Sequence, residues 1–349
     1  MAEAEKVMGV STGDIEKIMG VSTDDIEKIM GVEFPAGLLA YQGDTAFFLT
    51  GYGTASSDSL SPDVFTLAVT STGSTTDAGD LGEEFGWGSA VGSNVSNGNR
   101  IVIGGGQNGN ASNMIHYITP ASYSGGSTDY ADLAETKIYA GGASNGTTGM
   151  IAMGHSGSNY RAQTDYFTIS STSNAADFGD TAQYGTSPSG SQSLAKAFFS
   201  GGFAVWASPS YSNVISTFTF ASTGNASDSG DLTEGRQNGT HASGSTEARA
   251  IVSVGGRVSG GGFSTEINYM NPASPGDATD FGDSTACSAA GGPGNGVRMV
   301  WGGGAANDGS ASSTYWQDIH YITIASTGNA TESSGTLNHR KYHSCGWTA

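Results

Sequence analysis

The chain of 349 residues contains 55 glycines, and only 13% of its residues are charged. Its formal net charge of −19 opposes contact with a phosphate backbone, which requires clustered Lys and Arg, so we do not expect nucleic acid as a partner. No stretch approaches the roughly 18 consecutive apolar residues of a membrane helix, and the start M-A-E-A-E lacks the basic residues of a signal peptide, so we expect a soluble protein made in a cytoplasm, without membrane insertion.

A short repeat with a period of 11 residues occupies residues 1–33. Its units read V-M-G-V-S-T-G-D-I-E-K and I-M-G-V-S-T-D-D-I-E-K, and each contains helix signals. Ser22 or Thr23 can cap a helix start, while Gly20 and Gly31 stand where a helix would stop. Apolar residues recur at i, i+3 and i+4, which predicts short helices with one apolar face each. These residues are Ile15, Ile18, Met19, Ile26, Ile29 and Met30.

Helices of this length are unstable alone in water, so the arm needs a surface to lie against. One alternative is that the helices fold back onto their own domain. The other, which we favour, is that residues 7–32 dock on another protein through these Ile and Met side chains. Three nearly identical units are typical of reusable contact segments, and Met side chains adapt to varied surfaces.

Residues 34–349 carry a longer repeat, most clearly seen in the segments Val214–Leu232 and Ile319–Leu337. The first reads V-I-S-T-F-T-F-A-S-T-G-N-A-S-D-S-G-D-L, and the second reads I-H-Y-I-T-I-A-S-T-G-N-A-T-E-S-S-G-T-L. Six copies occur, and a recurring position in each copy advances by 52, 48, 51, 52 and 52 residues. That position is occupied by Asp80, Asp132, Asp180, Asp231, Asp283 and Gly335. A fixed period of about 50 residues predicts an array of six structural units.

Each copy divides into four short pieces, which is the number of strands in one blade of a β-propeller. A piece rich in Gly, Ala and Ser comes first, then an apolar piece that ends in glycines, then an alternating piece, and last the D-x-G-D turn. Because strands crowd around a propeller axis, the small-residue piece should be innermost and the D-x-G-D piece outermost. The predicted fold is all-β, a six-bladed β-propeller over residues 34–349 with a short N-terminal arm of amphipathic helices.

The inner pieces outnumber the other three by one, because both Leu38–Gln42 and Ser344–Ala349 fit the pattern. One of these segments should complete a blade from the far end of the chain and so close the ring. We favour the C-terminal segment for this role.

Recurring polar residues invite a metal site, but their repetition argues for structural roles. His116 and His320 occupy equivalent places in two copies, so we expect them to be part of the framework. His339 and His343 point to one face of a predicted strand but lie too far apart for one ion. The D-x-G-D aspartates could supply oxygen ligands to Ca²⁺, yet a turn in which Asp bonds its own backbone explains the same letters. We therefore expect no metal and no other cofactor.

Other candidate residues are two thiols and a few aromatic side chains. Cys287 and Cys345 are expected near the axis as free buried thiols, with a disulfide or a reactive thiol as the alternatives. Aromatic residues in blade loops could stack on sugars, although ordinary packing explains them as well. They are Trp206, Tyr211, Tyr315 and Trp316. No G-x-S-x-G, P-loop or H-E-x-x-H motif occurs, so no enzyme is expected.

Two groups of motifs resemble known families. The segment Arg236–His241, followed by A-I-V-S-V-G-G, and the segment Arg340–His343 resemble kelch repeats, although the regular late tryptophan of each kelch blade is missing. The repeats that combine I-x-Y-I-T-I-A-S-T-G-N-A with V-x-W-G-G-G are similar to propeller repeats in virion structural proteins of tailed phages, particularly marine ones. The units K-I-M-G-V-S-T-D-D-I-E-K are similar to N-terminal segments of such proteins.

This resemblance implies a kelch-like propeller that is displayed on a virion. The arm would contact other virion proteins of the capsid or tail, and the protein would be part of an oligomer within the particle. A receptor-binding or glycan-binding head that contacts the host surface is the nearest alternative. An enzyme that degrades polysaccharide is more distant, because it would need paired carboxylates in one cleft.

Overall fold

The computed structural model describes residues 6–7, 10–11, 17–18, 21–22, 28–29, 32–33, 43–49, 61–82, 89–93, 100–108, 110–157, 159–204, 210–237, 241–242, 245–260, 262–285, 291–306, 314–338 and 345–348. Within these ranges the protein is all-β, apart from one turn of 3-10 helix at Pro120–Ser122. None of the described segments is a helix long and apolar enough to cross a membrane.

The described residues of the arm form three pairs of two-residue antiparallel strands. In chain order they are β1 (Lys6–Val7), β2 (Val10–Ser11), β3 (Lys17–Ile18), β4 (Val21–Ser22), β5 (Lys28–Ile29) and β6 (Val32–Glu33). The predicted helices are therefore wrong at Ile18 and Ile29, which lie in strands. The other predicted contact residues, Ile15, Met19, Ile26 and Met30, lie outside the described residues. Two residues separate the strands of each pair, which is hairpin spacing, and β-branched Val and Ile favour extended backbone over a one-turn helix.

From residue 43 onward, strands follow one another at the spacing of the long repeat. In chain order they are β7 (Thr45–Leu49), β8 (Asp63–Ala68), β9 (Thr76–Asp80), β10 (Ser89–Ser93), β11 (Arg100–Gly104), β12 (Gln107–Asn108), β13 (Asn110–Ala111), β14 (Met114–Ile118), β15 (Thr128–Asp132), β16 (Gly141–Ser144), β17 (Thr148–Ala152), β18 (His155–Ser156), β19 (Asn159–Thr168), β20 (Ala176–Gly185), β21 (Ser189–Gln192), β22 (Lys196–Ser200), β23 (Val214–Thr219), β24 (Ser227–Asp231), β25 (Arg236–Gln237), β26 (His241–Ala242), β27 (Ala250–Val254), β28 (Arg257–Val258), β29 (Glu266–Met270), β30 (Thr279–Asp283), β31 (Gly291–Gly292), β32 (Arg298–Gly302), β33 (Ala305–Ala306), β34 (Thr314–Tyr315), β35 (Asp318–Thr323), β36 (Thr331–Thr336) and β37 (Cys345–Thr348).

These strands build six antiparallel sheets, which we number in chain order. Their strand orders are β37-β7-β8-β9, β10-β11-β14-β15, β16-β17-β19-β20, β21-β22-β23-β24, β27-β29-β30 and β31-β32-β35-β36. The small-residue, apolar, alternating and D-x-G-D pieces thus pair in the predicted order. The fifth sheet differs, because its small piece, β26, pairs in parallel with β31 of the sixth sheet instead of with β27.

The first sheet takes one strand from the far end of the chain. Cys345 pairs with Leu49 and Thr348 pairs with Ala46, so β37 lies beside β7 in antiparallel register. This confirms the choice of the C-terminal segment as the completing strand. The competing segment, Leu38–Gln42, lies outside the described residues.

The apolar core lies between neighbouring sheets. Ile101 of the second sheet packs in one buried cluster with Val64 of the first and Ile151 of the third. Another buried cluster joins Phe48 of the first sheet to Val300 of the sixth. Sheets therefore bury apolar side chains on both faces, which is why the second strand of each repeat is mainly apolar after its first residue.

The D-x-G-D turns form the outer strands through a local hydrogen bond. In the third sheet the amide of Gly179 donates to Oδ1 of Asp177 at 2.9 Å. The same bond recurs two residues after Asp77, Asp228 and Asp280. The first aspartate of the motif therefore caps its own backbone, as predicted from the turn chemistry.

The motif also fastens each sheet to the next. Gly179 has φ +140°, and a Cβ atom there would overlap the carbonyl of Gly224 in the S-T-G-N-A segment of the fourth sheet. Beside it, the amide of Asp180 donates to Oδ1 of Asn225 at 3.0 Å, and the amide of Ala226 donates to the carbonyl of Asp180 at 2.8 Å. We call this set of contacts the clasp.

The side-chain bond of the clasp recurs between most neighbouring sheets. Its other donor and acceptor pairs are Asp132 with Asn174, Asp231 with Asp277, Asp283 with Asn329, and Thr336 with Ser74. In the sixth copy the structure thus puts Thr336 at the recurring position, one residue after the Gly335 assigned from the sequence, and Gly335 is equivalent to Gly282. The last pair joins the sixth sheet to the first, where the amide of Thr75 also donates to the carbonyl of Thr336 at 3.0 Å. The D-x-G-D segment of one sheet and the S-T-G-N-A segment of the next thus recur together because they contact each other.

The first strands of the sheets also touch one another in sequence. Strand β10 contacts both β37 and β16, β16 contacts β21, and β21 contacts β26. Strand β26 contacts β31, which in turn contacts β37. Small-residue strands of neighbouring sheets are therefore in contact with one another.

Gly179 and Gly224 provide a matched test of the clasp. Both have φ close to +140°, at +140° and +146°, but only Gly179 has no room for a Cβ atom. We expect Gly179→Ala to lower the free energy of unfolding by about 1–3 kcal/mol more than Gly224→Ala does, because only the first adds a steric overlap to the shared backbone strain. Denaturant unfolding of both variants measures this difference. Equal losses would contradict the clasp.

Candidate functional site

Two kinds of loop leave each sheet from the same end. Strands alternate in direction, so the loop between the second and third strands and the crossover to the next sheet emerge together. We call this end the long-loop face, because short extra strands such as β12, β18, β28 and β33 lie in its loops. The opposite end carries the short turns of the S-T-G-N-A segments.

Five rings lie in a row on the long-loop face, across the boundary between the third and fourth sheets. Successive ring centroids are 5.4 Å apart from Tyr139 to His155, 5.7 Å to Tyr160, 6.2 Å to Phe203 and 5.2 Å to Tyr211. All five residues are half-buried. We call them the aromatic row. These contacts join the five rings into one aromatic cluster, and each of the five residues is partly exposed to solvent.

The backbone holds two of these rings in equivalent places. His155 and Phe203 each follow the glycine pair or Met-Gly pair at the end of an apolar strand. His155 exchanges two backbone hydrogen bonds of 3.0 Å with Ile138, and Phe203 exchanges bonds of 2.9 and 3.0 Å with Thr186. Each ring is thus fixed to the crossover that precedes its own sheet.

In other copies of the repeat, different residue types stand at this sequence position. Gln107 occupies it in the second sheet, Arg257 in the fifth and Ala305 in the sixth. The glycine immediately before this position is retained in all five of these copies, while the residue at the position varies. Variable side chains on a constant frame are typical of loops that contact ligands.

Unusual backbone geometry borders the row. Three residues other than glycine have positive φ in the described part of the chain: Tyr139 at 55°, Met153 at 62° and Ser187 at 59°. Met153 stands where the fourth sheet has Gly201, and the amide of Ser187 donates to the carbonyl of Tyr139 at 2.7 Å. Such conformations cost about 1–3 kcal/mol each and persist where the surroundings hold them, often at functional sites.

A buried ion pair lies next to Tyr139 in the chain. Nζ of Lys137 is 3.2 Å from Oδ2 of Asp165, both side chains are fully buried, and Nζ also donates to the carbonyl of Gln163 at 2.8 Å. Burial lowers the pKa of Lys137 and raises the pKa of Asp165, against the attraction between them. The pair anchors the crossover from which Ile138 and Tyr139 reach the row.

His155 is held as a neutral ring. Its Nδ1 lies 2.9 Å from the carbonyl of Gly157, so Nδ1 carries the proton and donates it to that oxygen. Burial lowers the pKa of His155 below its ordinary value, although the bond to Gly157 opposes this. At neutral pH the row therefore adds no charge to this face.

A cleft of about 230 Å³ opens beside Phe203. Its walls include Gln183, Tyr184, Ala204 and Ser212. Nε2 of Gln183 donates to the carbonyl of Gly201 at 2.7 Å, and Ser212 Oγ donates to Oε1 of Gln183, so the amide is fixed in place. None of the described residues that line the cleft is charged at neutral pH.

Met153 packs beneath the cleft, at the boundary between the third and fourth sheets. Its side chain is fully buried, and its Cε lies against the backbone of Gly185 and Gly202, where an added Cβ atom would approach to 3.0 Å. These glycines immediately precede Thr186 and Phe203 in the bridged pair. The strained methionine thus fills the gap beneath the cleft, and glycine at that position would leave a void.

The aromatic residues predicted as sugar contacts do not lie together in the part of the chain that the structure describes. Tyr211 belongs to the row, whereas Trp206 lies outside the described residues. Tyr315 is described only through its backbone in β34, and Trp316 is half-buried, with its amide 3.1 Å from the carbonyl of Gly304. Among the described residues, no ring contact joins Trp316 to the row.

The sequence analysis missed four members of the row: Tyr139, His155, Tyr160 and Phe203. Aligning the repeats on the glycine that ends each apolar strand would have placed His155 and Phe203 together, since one follows Gly154 and the other follows Gly202. No comparable signal marks Tyr139 or Tyr160, because their contacts depend on loops that differ between copies.

The histidines of the repeat have framework contacts. Nδ1 of His116 lies 3.0 Å from Oγ of Ser127, and Nε2 of His320 lies 3.1 Å from Oγ1 of Thr285. Over the described ranges, no three His, Cys, Asp or Glu side chains are grouped as metal ligands. The pair His339 and His343 lies outside these ranges, as does Cys287, and Cys345 is described only as backbone in β37.

We expect Lys137→Met to destabilise the protein by about 3–5 kcal/mol, because it leaves the carboxylate of Asp165 buried without a cation. The double variant Lys137→Met with Asp165→Val removes both charges and should recover part of this loss. Denaturant unfolding measures both values. A single variant as stable as the wild type would show that the ion pair does not anchor this crossover.

The comparisons with known proteins extend to the fold alone. No protein-family model matches the chain, and no curated protein matches it either. The structure is similar to a solved one titled "Structure of YjhT", with a TM-score of 0.62 and 13% sequence identity over 85% of this chain and 98% of that chain. At that identity the likeness shows a shared fold alone, which is consistent with a β-propeller-like arrangement of the sheets, and function must be argued from the residues of this chain.

Proposed function

We propose that the protein is a non-enzymatic structural component of a tailed-phage virion, which displays a closed six-bladed kelch-like propeller and is anchored by its N-terminal arm. The observation that carries the display role is the clasp between the sixth sheet and the first, at Thr336 and Ser74. A propeller whose sixth sheet is bonded to its first needs no partner protein to hold its sheets together. The assignment to a virion rests on the resemblance of the repeats and of the arm.

Three contacts support ring closure. Strand β37 completes the first sheet, the small-residue strands touch in a cycle, and buried side chains of the first and sixth sheets share one cluster. A closed ring leaves only short outer edges, which limits unwanted pairing with other chains. Such a head suits repeated display on a particle surface.

The strands of the arm support anchoring through their backbone edges and not through the predicted apolar helix faces. Two-residue strand pairs such as Lys17–Ile18 with Val21–Ser22 are too small to be stable in water by themselves. Their unpaired edges can add to the edge of a partner's sheet, which gives main-chain hydrogen bonds along an extended contact. Residues 7–32 therefore remain the proposed contact with capsid or tail proteins, now through backbone pairing.

Removal of residues 345–349 tests the closed ring. The truncation takes away β37 and leaves β7 with an unpaired edge, so we expect a lower midpoint of denaturant unfolding and increased aggregation. A five-residue Gly-Ser extension after Ala349 is the control and should leave both unchanged. A truncated protein with the wild-type midpoint would contradict closure through β37.

Deletion of residues 1–33 tests the anchor. We expect the shortened protein to keep the circular dichroism spectrum and unfolding midpoint of the wild type but to be absent from purified particles. Replacing the arm with a Gly-Ser segment of equal length controls for the loss of chain length. Normal incorporation of either variant would overturn the anchoring role.

A further inference from the structure

We propose that the long-loop face binds a neutral saccharide, with the aromatic row as its platform and the cleft beside Phe203 as the seat of one sugar ring. This inference goes beyond a structural role in the particle. It depends on the side chains of the third and fourth sheets and not on where the protein is anchored.

The row offers the surface that sugar rings need. A pyranose has one face of C–H groups, which packs on the negative face of an aromatic ring, and a rim of hydroxyl groups that need hydrogen-bond partners. The four ring-to-ring steps from Tyr139 to Tyr211 provide platforms for more than one sugar in line. The hydroxyl groups of Tyr160 and Tyr211 give this surface polar edges.

The cleft supplies the polar groups on one side of that platform. Tyr184 of β20 stands at the wall with 47% of its surface exposed, and Ser210 and Ser212 line the cleft from the segment before β23. At about 230 Å³ the cleft is smaller than typical drug-sized pockets of roughly 300–1,000 Å³, so it suits a single ring of a longer chain.

Charge selects a neutral ligand over an acidic one. The formal net charge of −19 repels polyanionic saccharides, and the described lining of the cleft is uncharged. Arg161 follows Tyr160 in the chain. Its Nε lies 3.0 Å from Oε2 of Glu135, so this cation is already paired. An acidic glycan would have to displace that carboxylate to gain a cation.

The site is formed before any ligand arrives. Phe203 is bridged to Thr186 on one side and to Tyr211 on the other, and Ala204 donates to the carbonyl of Ser210 at 3.0 Å. Met153 packs beneath, so the rings cannot sink into the sheet boundary. Preorganisation of this kind reduces the ordering cost of binding a weakly interacting ligand.

The full-length protein should be tested on an array that carries neutral and acidic glycans, and each hit should then be measured by isothermal titration calorimetry. We expect binding to neutral glycans with little dependence on salt, because no charge pair contributes. Absence of binding to every neutral glycan, or binding confined to acidic glycans, would overturn the proposal. Capture of a protein partner without any glycan would overturn it too.

Variants of the row decide whether binding occurs at this site. Tyr211→Ala and Phe203→Ala should each raise the dissociation constant for the glycan by about tenfold or more. Tyr211→Phe should retain most of the affinity, because the ring remains. Leu194→Ala is the control, since Leu194 is an exposed apolar residue on the opposite end of the fourth sheet. Unchanged affinity in both alanine variants would refute the site.

Two further measurements distinguish a loss of glycan binding from a loss of folding and from a failure of the virion role. The unfolding midpoint of each variant shows whether the sheet boundary remains intact, and Tyr211→Phe provides a folded comparison if an alanine variant is unstable. Incorporation of Tyr211→Ala into particles should be normal. Lost glycan binding with normal incorporation supports both proposals, whereas glycan binding by a protein that never enters particles would refute only the virion role.

Discussion

The contact between a left-handed glycine in one sheet and a glycine carbonyl in the next governs the rest of this structure. At Gly179 and Gly224 the two backbones are too close for any side chain on the first glycine. That proximity places Asn225 within hydrogen-bond distance of the amide of Asp180. The same close approach joins Gly230 to Gly276, Gly282 to Gly328 and Gly335 to Gly73, so neighbouring sheets have the same spacing at these boundaries, whereas the second sheet has Ala131 at this position.

Apolar burial then follows from that spacing. Sheets held at a constant separation need side chains of matching volume between them, and the second strands provide Ile, Val and Phe. Cations at the start of these strands bridge the same gap. Arg100 lies 4.2 Å from the ring centroid of Tyr117 and donates to the carbonyl of Ile169 in the next sheet at 3.1 Å. Arg298 repeats the arrangement between the sixth sheet and the first.

The order of strands within a sheet was predictable because the turn letters recur in four of the six copies and the small-residue piece recurs along the repeat. The D-x-G letters specify a local bond, and the small residues specify the crowded inner strand. The arm was not predictable in the same way, since spacing at i, i+3 and i+4 over one turn is too short to exclude strands, as Ile18 and Ile29 show. Most of the aromatic row was missed because each ring comes from a loop that occurs only once.

Strand β37 also sets the order in which the molecule can be completed. Strand β7 is made early in synthesis, but its partner arrives only with residues 345–348. Until then the first sheet keeps an open edge, and the pairing that closes it has a very large separation along the chain, which makes it entropically costly and slow. The nascent chain must therefore protect that edge on or near the ribosome, and a chaperone that shields exposed strands would affect the yield of this protein more than its final stability.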